Sequence, residues 1–129
     1  MKPIKTAICS FGISGSVFHA PFISVNPNFE LYGVWERTKN NARKRYPDIK
    51  TFRSLEELLA DDNIELVVVN TPSVTHYDYA KKVITSGKHL IVEKPFTATS
   101  SQARELIGLA KKEGVKLSVY HNRRYDSDC

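Results

Sequence analysis

Polar and conformationally special residues of this 129-residue chain collect directly after short apolar runs. The first such point is Ser10-Phe-Gly12-Ile-Ser-Gly15, which follows the run Ile4 to Cys9. In a dinucleotide-binding turn, three glycines make the tight bend, admit the pyrophosphate and let the next helix pack on the strand. Gly12 and Gly15 hold the last two of those places and Ser10 holds the first. Ser10, Gly12, Ile13, Ser14 and Gly15 therefore form a candidate phosphate cradle, with helix N-terminal N–H groups and the helix dipole facing the anion; a plain turn is the alternative. Glu36 lies 21 residues after Gly15, a spacing that suits a carboxylate accepting hydrogen bonds from a ribose. The alternative is a solvated charge at a strand end. Arg37, Thr38 and Lys39 follow, and a guanidinium there, with a hydroxyl beside it, could grip a 2′-phosphate. Arg43, Lys44 and Arg45 read as a solvated helix face.

Three further points have the same form: Asn70-Thr71-Pro72, Glu93-Lys94-Pro95 and Tyr120-His-Asn122-Arg123. An ammonium such as Lys94, placed at a ligand cleft, can hold a substrate hydroxyl or share its proton. On local chemistry alone, an exposed loop lysine is the competing reading. His76 is open between a helix cap and a cofactor contact, and His19 between packing and a cofactor contact. His89 reads as structural and His121 as a ligand candidate.

The elements needed to bring these points together can be traced in the sequence. Strands are expected at Ile4 to Cys9, Leu31 to Trp35, Leu66 to Val69, His89 to Val92 and Val115 to Tyr120; the β-branched density of the third suits burial on both faces. Ser54-Leu-Glu-Glu57 is a capping box ahead of Leu58 and Leu59. Thr75 is expected to cap a helix running to Ser86, with Gly87 as its stop. Thr99-Ser-Ser-Gln102 is a second capping box, opening a helix whose apolar residues are Ala103, Leu106, Ile107 and Ala110 and which Gly114 ends. A short helix over 39–46 stops before Pro47. Strands alternating with helices imply right-handed parallel βαβ units. The expectation is an α/β fold: a doubly wound parallel sheet of about five strands with helices on both faces, filling 1–129 as one domain. In such a sheet ligands bind outside the carboxyl ends of the strands, where all five polar points fall.

Bulk properties narrow the class. Hydrophobic residues make up 41% and charged residues 26%, ordinary for a soluble globular domain. The net charge of +5 suits an anionic ligand. Nucleic-acid binding would require a recognised motif or aromatics interleaved with cations, and neither occurs. No apolar run reaches the roughly 20 residues of a membrane helix. The N-terminus lacks the long apolar region of a secretory signal. Cys9 and Cys129 are expected to stay reduced, and the expected setting is the cytoplasm.

Taken together, Ser10-Phe-Gly-Ile-Ser-Gly-Ser-Val-Phe-His-Ala-Pro21, Asn70-Thr-Pro-Ser-Val-Thr-His76, Glu93-Lys-Pro95 and Asn122-Arg-Arg-Tyr-Asp126 resemble, in order and spacing, the glucose–fructose oxidoreductase / inositol dehydrogenase / MocA family. The resemblance covers the whole chain. It implies a Rossmann NAD(P)-binding domain followed by a larger α/β domain with an open sheet, and hydride transfer at a sugar, polyol or related carbinol carbon. It implies that Lys94 orients substrate and assists proton transfer, that Thr71, Pro72 and His76 line the cofactor, and that Glu93 and Pro95 shape the nicotinamide site. Asn122 and Arg123 match positions near the nicotinamide or substrate. The chain departs from the family at Ser10, and residues 1–129 do not include the second domain, which supplies the substrate pocket, a catalytic histidine and the oligomer interface. The isolated chain is thus expected to bind NAD(P) without efficient turnover, to meet a sugar-like substrate only in a full-length form, and to self-associate through exposed apolar surface. A non-catalytic nucleotide-binding or regulatory fragment is the alternative. Glu36 favours NAD, whereas Arg37, Thr38 and Lys39 favour NADP; two charge-assisted hydrogen bonds outweigh one carboxylate, which tips the expectation toward NADP.

Overall fold

The computed structural model describes residues 3–9, 27–36, 43–44, 46–70, 75–93 and 99–120, without the side chains of Glu93 and Tyr120. Six strands run in parallel: β1 (Ile4–Ile8), β2 (Phe29–Trp35), β3 (Lys50–Phe52), β4 (Leu66–Val69), β5 (His89–Glu93) and β6 (Leu117–Tyr120). Their order is β3-β2-β1-β4-β5-β6, so the direction of winding reverses between β1 and β4. That is the switch point at which open α/β sheets take their ligands.

The alternation of each strand feeds two apolar layers. Ala7, Cys9, Val67, Val69, Leu90 and Val92 face one layer, with Phe52 from β3; Ile8, Val34 and Val68 face the other. All four residues of β4 are buried, as its β-branched run implies for a central strand. β2 carries an irregularity. Thr6 pairs with Leu31 but Ala7 pairs with Gly33, so Tyr32 is the extra residue of a bulge. The bulge shifts the alternation: Tyr32 and Trp35 both pack on the first layer although they stand three apart, and Leu31 and Val34 both pack on the second.

Three described helices, α1 (Leu55–Leu59), α2 (His76–Thr85) and α3 (Ser100–Glu113), send Leu55, Leu58, Ala80, Val83, Ile84, Leu106 and Ala110 into the first layer. On the second face, Ile49 and Tyr46 pack against the sheet. Both capping boxes form at their first half: Ser54 Oγ accepts from Glu57 N–H at 3.0 Å and Thr99 Oγ1 from Gln102 N–H at 3.2 Å. Glu57 reaches back one residue further than expected, accepting from Arg53 N–H at 3.4 Å. Gly87 and Gly114 adopt φ of +84° and +72°, the left-handed turn that ends a helix.

Several expectations need correction or refinement. Among the described residues the sheet has six strands rather than about five; the added one, β3, is three residues long and has too little alternation to stand out in the sequence. Thr75 is not a side-chain cap: it already has helical dihedrals (φ −95°, ψ −8°), which do not present its hydroxyl to the first turn. Of the apolar residues read along α3, Leu106 and Ala110 are buried and Ile107 is 45% exposed. The last strand begins at Leu117, not Val115, whose N–H instead closes α3 by donating to Ala110 O at 3.0 Å. Of the helix expected over 39–46, Arg43, Lys44 and Tyr46 are described; the first two are helical, and Tyr46, the residue before Pro47, is not.

Candidate functional site

A parallel sheet delivers every strand's carboxyl end to one edge, and the described candidates meet there. Glu36 directly follows β2 and is 9% exposed. Its N–H donates to Phe52 O at 3.0 Å, extending the β2–β3 ladder by one bond. Its carbonyl accepts from Arg53 Nη1 at 3.1 Å. Asn70, 7% exposed, directly follows β4. Val69 pairs with Val92, so Asn70 and Glu93 stand at neighbouring strand ends. Cys9 N–H donates to Val68 O at 2.9 Å, which carries the β1–β4 ladder up to the switch point. His76, 2% exposed, is the first residue of α2, the helix that follows β4.

Of the sequence candidates, Glu36, Asn70 and Glu93 are thus brought to one edge, and His76 begins the adjoining helix. Ser10, Gly12, Ile13, Ser14, Gly15, Arg37, Thr38, Thr71, Pro72, Lys94, Pro95, Asn122 and Arg123 lie outside the described residues, as do His19, Lys39, Arg45, His121 and Cys129. His89 is structural: its Nδ1 accepts from Lys116 N–H at 2.9 Å, tying β5 to the start of β6. Cys9 is a free, buried thiol whose pKa is pushed up to about 12 by that burial, so it is a packing residue rather than a nucleophile.

Two residues of this edge escaped the sequence reading. Arg53 follows the unforeseen β3; its position just ahead of the Ser54 cap was the available signal. Trp35, the single tryptophan, sits one residue before Glu36 and meets the Tyr79 ring of α2 edge-on at 5.5 Å. Its Nε1 is buried without a hydrogen-bond partner.

The acceptor chemistry of this edge fits the hydroxyls of an adenosine ribose. A carboxylate residue, Glu36, directly follows β2, and its N–H and carbonyl are held by Phe52 of β3 and by Arg53 just after it.

Comparison with known proteins agrees with this geometry. Residues 4–121 match the model of an oxidoreductase family with an NAD-binding Rossmann fold. An uncharacterized oxidoreductase of Schizosaccharomyces pombe is 47% identical over 99% of the chain, and the scyllo-inositol 2-dehydrogenase (NADP(+)) IolW of Bacillus subtilis is 42% identical over 97%. Among solved structures, GenD2 from gentamicin A biosynthesis, in complex with NAD, superposes with a TM-score of 0.86 at 32% identity over 92% of the chain. The chain spans 36%, 35% and 34% of the lengths of these three proteins.

Proposed function

The chain belongs to the oxidoreductase family with an NAD-binding Rossmann fold, and from that premise we propose that it is the dinucleotide-binding part of an NAD(P)-dependent oxidoreductase acting on a sugar, polyol or related carbinol. The observation that carries this reading is the placement of Glu36 at the end of β2, beside the switch between β1 and β4, with its peptide held by Phe52 and Arg53. The sugar or polyol class is supported by the resemblance and by IolW, an inositol dehydrogenase.

When bound, the nicotinamide supplies or accepts the hydride. The chain's residues do the rest. Glu36 receives ribose hydroxyls; Ser10, Gly12, Ile13, Ser14 and Gly15 cradle the pyrophosphate with backbone N–H groups. Asn70, Thr71, Pro72 and His76 line the cofactor, and Glu93, Pro95, Asn122 and Arg123 border the nicotinamide end. Lys94 orients the substrate hydroxyl and shares its proton. Arg37 and Thr38 tip the preference to NADP. Residues 1–129 supply one wall of the cleft, so alone they bind cofactor without efficient turnover and self-associate. A cytoplasmic setting is part of the same reading.

Titration with NAD, NADH, NADP and NADPH, followed by calorimetry and by Trp35 fluorescence, tests the proposal. Saturable binding with a changed Trp35 signal is expected. No binding of any of the four at millimolar concentration overturns it. An NADP preference that survives Arg37→Ala removes Arg37 as the reader of the 2′-phosphate.

A further inference from the structure

β3 is a three-residue strand, yet three separate contacts join its end to the end of β2. Trp35 pairs with Phe52, Glu36 N–H donates to Phe52 O at 3.0 Å, and Arg53 Nη1 donates to Glu36 O at 3.1 Å. Arg53 is itself anchored from the other side. Its N–H donates to Glu57 Oε1 at 3.4 Å, and Ser54, the next residue, caps α1. A backbone fixed at a helix entry thus sends a guanidinium across to the neighbouring strand end. Arg53 is exposed as a whole, and the partly buried bond to the Glu36 carbonyl holds one edge of its planar group at the strand end.

The consequence is electrostatic. A carboxylate at the end of β2 repels a 2′-phosphate on the ribose it binds. A permanent cation held against the same residue offsets that repulsion without leaving the site. This cation stands directly after β3 and adds to those that follow β2. We infer that Arg53 is a specificity-determining residue of the dinucleotide site, the charge that lets an end of β2 carrying Glu36 accept a 2′-phosphorylated ribose. The inference rests on the dinucleotide-binding reading above.

The experiment compares affinities for NADP and NAD in the wild-type chain, Arg53→Gln and Arg53→Lys, with thermal melting as the control for folding. Arg53→Gln is expected to weaken NADP by about tenfold and NAD by less than about threefold. Arg53→Lys keeps the charge but not the planar group that the Glu36 carbonyl holds, and is expected to weaken NADP less than Arg53→Gln does. Should Arg53→Gln unfold, Arg53→Met, which keeps the stem packed, takes its place with the same expectation. Equal weakening of both dinucleotides, or an unchanged ratio, overturns the assignment and leaves the dinucleotide-binding reading intact. Failure of the wild-type chain to bind either dinucleotide overturns that reading and this assignment with it.

Discussion

The ring of Phe52 stands where a side chain on Gly33 would have to go: a Cβ at Gly33 would meet Phe52 Cε2 at 2.5 Å and the Lys50 carbonyl oxygen at 3.2 Å. Gly33 directly follows the bulge residue Tyr32, so the close approach of β3 and the change of phase in β2 occur together. The missing side chain lets β3 lie near enough to hold Glu36.

Gly33→Ala should therefore cost about 1–3 kcal/mol by overpacking. Phe52→Leu on that background should recover part of the loss, giving a favourable coupling energy in a double-mutant cycle. Urea unfolding of the four proteins measures it; an alanine variant as stable as wild type would show that the strand ends move apart freely.

Lys88 is 6% exposed, and its Nζ donates to Asp61 O and Ile64 O, each at 2.9 Å. Burial lowers its pKa, while Asp62 and Asp61 oppose that shift. The side chain ties the α2–β5 connection to the turn before β4. Replacement by Met removes both bonds and leaves the carbonyls to find water, at a cost of about 2 kcal/mol. A denaturation midpoint within error of wild type would contradict this role.

At Asp61, burial pushes the carboxyl up, but the Asn63 N–H, the Tyr32 hydroxyl at 2.9 Å and the Lys50 ammonium together leave it below its ordinary 3.8. With a folded value below the unfolded one, the stabilisation is complete above the unfolded value and is lost as pH falls through the folded value. The stability gap between wild type and Asp61→Asn should hold steady from about pH 5 to 7 and close below about pH 4. A gap that widens on acidification would reverse the sign and exclude this account.

The ends of α3 offer a paired test. Thr99→Ala removes the acceptor for Gln102 N–H and should cost about 1 kcal/mol. Gly114→Ala forces a β-carbon into φ of +72° at a cost of about 1 kcal/mol. The sites lie at opposite ends of one helix, so the two losses should add in the double variant. Strong non-additivity in thermal melts would mean that the helix frays as a unit.

Lys94 is expected to be the catalytic residue of the protein that includes both walls of the cleft. Residues 1–129 with cofactor and a panel of sugars and polyols should show negligible turnover, because orientation of the substrate contributes roughly 7–11 kcal/mol to such a reaction. A longer form bearing a substrate domain should turn over, and Lys94→Ala in it should lower kcat by about a hundredfold or more. Retention of most of kcat would move the proton-handling role elsewhere.

Much of this fold is local and was legible without coordinates. β4 shows itself by four successive buried aliphatics, α1 and α3 by hydroxyl-to-N–H caps three residues apart, and the helix stops by Gly87 and Gly114. Each depends on near neighbours in the chain, so the pattern carries the cause. The strand-end position of Glu36 follows from the same logic, since an apolar run must end before its polar residue. What only the tertiary structure decided is how that residue is held. β3 is too short to have a period, and its Phe52 lies where a side chain on Gly33 would have to go. Arg53 acquires its place by a bond to a residue 17 positions earlier in the chain. No local preference encodes such a contact; it arises when two parallel strands stop side by side and a guanidinium on one finds the last carbonyl of the other.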